Sequence, residues 1–476
     1  MFIGRESELK QLNDLYAEDK FQLVVMYGRR RVGKTRLLSE FCKEKYSLFF
    51  VAEEHNNLLA LQKFSKSIID FFGFAGMLGN FENWEQAFTF IAKQSMEKQL
   101  ILVLDEFPYL VSGDKSIPSL LQNLIDHLMI HSKLYLIICG SSMNFIEKEI
   151  LSYKSPLYGR MTSQFQVKPF DFYDAKKFFS NYSIEEQIIC YGILGGIPQY
   201  LLQFNESRTI EENIKEKILL KSSYLNAEPF NLLKQELREP VFYNSIIESI
   251  ATGATKINQI ATKVGETTAK VSRYIDVLIE LSILEKLKPY GDETSSRKTI
   301  YKIVDPLFAF WYRFVFANSS LIEQEMVNEV YTLYIKPGLS TYMGKQYEKI
   351  CMDYLLRMNK KSELPIVIHS YGTWWGNNPI KKCEEEIDIV AGNQDSLMVC
   401  ECKWKNEWVS EDVLDKLIER ANLFHAKSYY YYVFSKSGFS SALKSKINER
   451  LYLIDLERLV SDVVELNNKS TSYFSS

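Results

Sequence analysis

Four short apolar runs, at residues 21–27, 48–52, 100–104 and 134–139, are bounded by polar or glycine residues and separated by longer amphipathic stretches. Continuous apolar runs of this length suit strands buried on both faces, so the pattern predicts a parallel sheet covered by helices. After Gly159 the period changes. Residues 173–182, 184–194 and 210–220 carry apolar side chains at three- and four-residue spacing, which predicts a helical lid after the sheet. From about Glu239 to Tyr301 the order reads helix, turn, helix, turn, longer helix, then a polar segment between two apolar stretches, the outline of a winged helix-turn-helix. Beyond the aromatic segment 307–316, an amphipathic helix at 345–358 precedes strand-like 386–390 and 397–404, which predicts a separate α/β domain.

The expected fold class is therefore α/β and multidomain. Its expected parts are a parallel-sheet core at 1–165, a helical lid at 166–238, a winged helix-turn-helix at 239–304, a helical connector at 305–340, a second α/β domain at 341–466 and a loose polar tail at 467–476. A length of 476 residues agrees with several domains, since one domain takes ~150 residues. No apolar stretch approaches the ~20 residues of a bilayer span, and the first residues lack an export pattern, so the expectation is a cytoplasmic protein without a membrane partner. Seven scattered cysteines without a C-x-x-C pair read as reduced thiols, and Cys400 with Cys402 read as a packed strand face. The 57 basic and 60 acidic residues nearly cancel, so charge informs on partners only locally.

The chemistry begins at residue 28. Gly28, Arg29, Arg30, Arg31, Val32, Gly33, Lys34 and Thr35 satisfy G-x-x-x-x-G-K-[ST], after an apolar strand and before a helix opened by Arg36. Glycines at both ends let backbone N–H groups wrap a phosphate, the helix N-terminus adds its dipole, Lys34 reaches the β- and γ-phosphates, and the Thr35 hydroxyl suits Mg²⁺. The apolar run 100–104 ends in Asp105 and Glu106, which supplies a carboxylate for the Mg²⁺ shell and a second one to orient or deprotonate water. Another run ends in Gly140, Ser141 and Ser142, polar groups at the edge of the same sheet. His127 and His131 stand at i, i+4, but with no third ligand evident they read as a solvated helix face.

The residues from Phe2 to Arg5 and Glu6, the glycine-rich loop, the Asp105–Glu106 pair, Gly159 with Arg160, and the run Gly195, Gly196, Ile197, Pro198 together resemble the AAA+-related, STAND-like prokaryotic ATPase family. The resemblance covers roughly residues 1–220. It implies ATP as the nucleotide, Ser141 or Ser142 in a sensor position, Arg160 approaching the phosphates, and Pro198 lining the nucleotide from the lid.

Two further sites follow. In the helix-turn-helix, Val271, Ile275 and Leu278 are expected inward while Lys270 and Arg273 face out, and Arg297 with Lys298 form a wing tip able to reach DNA. In the C-terminal third, Asp388 on one strand and Glu401-x-Lys403 on the next, with Glu348 on a preceding helix, form the constellation of PD-(D/E)xK nucleases. Two carboxylates such as Asp388 and Glu401 suit Mg²⁺ or Mn²⁺ beside a scissile phosphate, with a lysine to position water. Tyr301 to Trp311, Gly344 to Glu348, Trp374, Trp375 and Glu401 to Trp404 also resemble the domain that accompanies this ATPase family. The expected function is an ATPase whose nucleotide state controls a DNA-binding, metal-dependent nuclease-like domain. The alternative is a non-catalytic ATP-switched regulator of DNA or protein, and a homo-oligomer or a protein partner stays open.

Overall fold

The computed structural model describes residues 2–76, 79–292, 298–378 and 381–463. It divides into two compact units. One is Met1–Pro169 with Ile197–Gln199; the other is Phe170–Gly196 with Tyr200–Ser476.

The first unit is built on β1 (Gln22–Tyr27), β2 (Ser47–Val51), β3 (Leu100–Asp105), β4 (Leu134–Gly140) and β5 (Ser163–Gln166), all parallel, in the order β2-β3-β4-β1-β5. The apolar runs are continuous because both faces are covered. Leu23, Val25, Leu102, Leu104, Leu136 and Ile138 enter one core with helices Asn57–Phe72, Trp84–Gln94 and Ile117–His127. Val24, Met26, Ile101, Val103 and Ile137 enter the other with helices Glu6–Tyr16 and Lys34–Cys42. Each of these aliphatic side chains is withdrawn from water, which stabilises the unit by about 1.5–3 kcal/mol apiece before entropy is counted. The order of strands sets β4 between β1 and β3, so whatever follows β4 lies between the ends of those two.

In the second unit, helices Pro240–Ala251, Ile257–Val264 and Thr268–Glu280 are followed by the antiparallel pair β6 (Leu284–Leu287) and β7 (Ile300–Ile303), with Leu284 opposite Ile303. Val271, Ile275 and Leu278 are fully buried, as their spacing required, among Ile246, Ile250, Ile260 and Ile283. The Thr267 hydroxyl caps the third helix by accepting from the Lys270 N–H.

The long helix Lys336–Lys360 leads into β8 (Ser370–Asn378), β9 (Cys383–Gly392), β10 (Ser396–Lys403), β11 (Ser428–Ser435) and β12 (Leu451–Ile454), in the order β12-β11-β10-β9-β8. The first three are antiparallel, whereas β10, β11 and β12 run parallel, with helix Glu411–Ala421 as the crossover between β10 and β11. The chain after β6 is stitched to the edge of this sheet: the Tyr290 N–H donates to the Thr373 carbonyl at 3.0 Å, and the Tyr290 hydroxyl meets the Ser370 hydroxyl at 3.0 Å. No helix among the described residues is long and apolar enough to cross a membrane. The tail at 467–476 lies outside the described residues.

Candidate nucleotide and carboxylate sites

The loop between β1 and the helix Lys34–Cys42 needs its glycines. Gly28 has φ 153°, and a Cβ there would stand 2.2 Å from the Val167 carbonyl oxygen, so only glycine lets β1 pass the chain that leaves β5. Gly33 has φ 91° and opens the helix from the left-handed region. Pro198 packs on this turn, its ring 3.7 Å from where a Gly33 Cβ would sit. Arg29 and Val32 are buried, Arg30 donates to the Tyr109 hydroxyl at 3.3 Å, Arg31 adopts φ 71°, and Arg36 is exposed.

Lys34 is buried, and its ammonium donates to the carbonyls of Gly28 (2.8 Å) and Arg29 (3.1 Å). Burial lowers its pKa, while Cys139, Glu106 and Asp105 pull the other way. The Thr35 hydroxyl donates to Asp105 at 2.7 Å, joining the loop to the end of β3. Glu106 takes φ 53°, a left-handed conformation rare for a side chain of its size, and so turns its carboxylate onto Ser141, whose hydroxyl donates at 3.0 Å and whose N–H donates at 3.4 Å. Lys34, Thr35, Asp105, Glu106 and Ser141 thus form one connected set.

Arg160 is engaged elsewhere. Its guanidinium makes a bidentate pair with Asp126, both bonds 2.6 Å, and this holds the Asp126 carboxyl below the usual range. His127 ends its helix and His131 sits in a separate turn, Met129–His131, so the two share no helix face. Motif reading passed over Arg5 as a site residue. Its guanidinium donates to the Val32 carbonyl at 3.3 Å and to the Lys168 carbonyl, tying the phosphate loop to the chain after β5. Nothing in the local sequence marks these distant partners, since Arg5 also pairs with Glu8 three residues on at 3.1 Å.

In the C-terminal sheet, the register that sets Cys400 opposite Ile389 carries Glu401 beside Asp388. Asp388 accepts from the Cys402 N–H at 2.8 Å. Burial raises its pKa, and the Glu401 charge raises it further. Glu348 on the long helix is likewise raised, by burial first and by Asp388 second, so three carboxylates share one field. Cations compensate. Lys345 bridges Glu348 and Glu386 at 3.1 Å each, Lys403 contacts Glu401, and Arg420 donates to Glu401 at 3.2 Å and to Glu385 at 2.9 Å. Arg420 and Glu385 were not foreseen, since nothing in their local sequence marks them as neighbours of Glu401. Among the described residues no three His, Cys, Asp or Glu side chains are grouped to hold a metal.

On the three-helix module, Lys270 pairs with Glu266 at 2.5 Å and lies over the Phe242 ring, Lys298 pairs with Asp292 at 3.0 Å, and Arg273 is exposed. Arg297 falls outside the described residues.

Residues 2–204 match a family described as an ATPase domain predominantly from Archaea, and residues 311–417 match one described as archaeal and bacterial proteins of unknown function. An uncharacterised protein of Methanocaldococcus jannaschii is 32% identical over 465 residues, covering 96% of this chain and 99% of that one. The chain belongs to the same family as that protein, and its residues 2–204 match the ATPase domain. Another protein similar to this chain, an uncharacterised ATP-binding protein of Pyrococcus abyssi, is 28% identical over 273 residues, 51% of this chain and 81% of that protein. Among solved structures, a Walker-type ATPase of Pyrococcus abyssi superposes with a TM-score of 0.50 at 22% identity, over 66% of this chain and 96% of that one, a likeness of fold.

Proposed function

We propose that this archaeal-type ATPase binds and hydrolyses ATP at the loop 28–36 and uses the nucleotide state to control a DNA-acting C-terminal domain. The observation that carries the first part is the hydrogen bond from Thr35 to Asp105, with Glu106 held on Ser141 beside it. A hydroxyl and a carboxylate at 2.7 Å are the hard oxygen donors Mg²⁺ takes, so Thr35 and Asp105 fit as its holders, and the ion would offset phosphate charge. Arg29, Arg30, Arg31, Val32 and the two glycines shape the loop for the phosphates. Lys34 exchanges its loop carbonyls for phosphate oxygens. Glu106 accepts a proton from the attacking water, and the Ser141 hydroxyl keeps that carboxylate aimed. Pro198 closes the nucleotide side of Gly33. For Arg160, release from Asp126 precedes any contact with phosphate.

We read the three helices and the β6–β7 hairpin as a winged helix, with Arg273 as an exposed outward cation and Lys270 and Lys298 available to phosphates by exchanging their acidic partners. The helix Lys336–Lys360, the three antiparallel strands and the β10–helix–β11 crossover support a PD-(D/E)xK nuclease-like reading. Asp388 and Glu401 suit Mg²⁺ or Mn²⁺, Glu348 adds a third acid, and Lys403 positions water. A specific observation favours the rival, a non-catalytic regulator: both Glu401 oxygens are occupied by Lys403 and Arg420. The test is nucleotide binding by wild type and Lys34→Ala, together with DNA cleavage in Mg²⁺ or Mn²⁺ by wild type and Asp388→Ala, with and without ATP. Lys34-dependent binding and Asp388-dependent cleavage support the reading; ATP turnover without cleavage leaves the regulator.

A further inference from the structure

Two carboxylates of the C-terminal site stand in a cleft that is partly open to solvent. Asp388 and Glu348 line a cavity of about 520 Å³ whose far wall is the β6–β7 hairpin, through Leu287, Lys302, Ile303 and Val304. That volume is in the range that encloses one small-molecule-sized group. The wall is anchored, because Tyr290 just past β6 is bonded to Thr373 and Ser370 on β8. Three kinds of surface meet in the cavity. Tyr371 on β8, a residue that is 54% exposed, contributes an aromatic side chain to the lining. Leu287, Ile303, Val304 and Met352 are apolar. Lys302 and Lys349 flank Glu285, and neither closes a salt bridge among the described residues.

An aromatic ring with free area, aliphatic neighbours and cations beside paired carboxylates suits a base and its phosphate. In a duplex the base faces are stacked and only edges are presented in the grooves, whereas an unpaired strand offers its faces to aromatic rings. We propose that this cavity takes an unpaired nucleotide of single-stranded DNA, with its base stacked on Tyr371 and its phosphates toward Lys302 and Lys349, and that intact duplex is excluded while the hairpin is in place. The inference rests on the nuclease-like reading for the identity of the ligand. Besides Asp388 and Glu348 the cavity is lined by Glu285 on the hairpin and Asp353 on the long helix; Lys302 and Lys349 offset Glu285, and Lys349 also offsets Asp353.

The experiment uses the full chain and a fluorescein-labelled oligothymidylate, its blunt duplex and a closed circular duplex. Binding is measured by anisotropy in Ca²⁺ and cleavage in Mg²⁺ or Mn²⁺, for wild type, Tyr371→Ala, Tyr371→Phe and Asp388→Ala, with circular dichroism spectra and thermal melts as the folding control. Loss of one base stack should weaken single-strand binding by Tyr371→Ala about 5- to 150-fold, with Tyr371→Phe close to wild type. Single strand should be cut and the closed circle left intact. Equal single-strand binding by wild type and Tyr371→Ala, or Asp388-dependent cutting of the closed circle as fast as of single strand, would overturn the inference and leave the nuclease reading standing. Tyr371-dependent single-strand binding without any cleavage would uphold the cavity's ligand and remove the nuclease.

Discussion

Glu106→Gln separates the chemistry of the first unit from its architecture. In the wild type one carboxylate oxygen of Glu106 accepts both the Ser141 hydroxyl and the Ser141 N–H. A glutamine in the same rotamer keeps its carbonyl oxygen at that position, so these bonds survive and the left-handed backbone at residue 106 is undisturbed. What is lost is a group able to take a proton from water, which contributes about 10²–10⁴-fold in rate. Nucleotide affinity should move by no more than a few-fold, because Lys34, Thr35 and Asp105 are untouched. Ser141→Ala should cost less. It deletes the 3.0 Å bond and keeps the 3.4 Å one, and about 1 kcal/mol of lost orientation corresponds to a turnover drop of about 5-fold. The assay is phosphate release under single-turnover conditions, paired with equilibrium binding of a fluorescent ATP analogue. Wild-type turnover in Glu106→Gln would remove Glu106 as the base, and loss of nucleotide binding in that variant would recast it as a structural residue.

Gly28→Ala should destabilise the first unit by about 1–3 kcal/mol and abolish nucleotide binding, since its Cβ meets the Val167 oxygen at 2.2 Å; calorimetric melting with and without ATP checks both effects. Arg420→Leu should cost about 3 kcal/mol and end any Asp388-dependent cleavage, because Glu385 and Glu401 would lose the guanidinium between them; an unchanged urea midpoint would refute this. Asp353 has its pKa pushed up to about 6 by burial, although the Phe172 N–H and Tyr191 hydroxyl donate to it. The folded state therefore holds this proton more tightly than the unfolded chain, so its stability contribution is complete below pH ~4 and is lost as pH rises through 6. Asp353→Asn should flatten that fall by about 3 kcal/mol at most in urea melts from pH 4 to 7, and an unaltered slope would show that Asp353 does not control it.

The parts legible in the sequence are those whose physics is local. β1, β3 and β4 could be read because a strand buried on both faces must be apolar at every position, and the helix carrying Val271, Ile275 and Leu278 because one buried stripe imposes its period. The loop 28–35 was legible because left-handed turns and close backbone approach demand glycine at fixed places. β8 and β11 carried no such signal: the first is an edge strand whose aromatic residues are interrupted by glycines and polar residues and the second a run of tyrosines, and neither shows a continuous aliphatic run.

By itself the sequence determined the phosphate loop, the acid pair ending β3 and the E-x-K strand, since each lies within a few consecutive residues. Tertiary structure alone decided that Arg160 pairs with Asp126, that Arg5 holds Val32 and Lys168, that Arg420 stands on Glu401, and that the β6–β7 hairpin walls the cavity at Asp388. These contacts join residues 19 or more positions apart, where charge and hydrogen-bonding capacity are visible in the chain but the partner is chosen by which strands lie side by side.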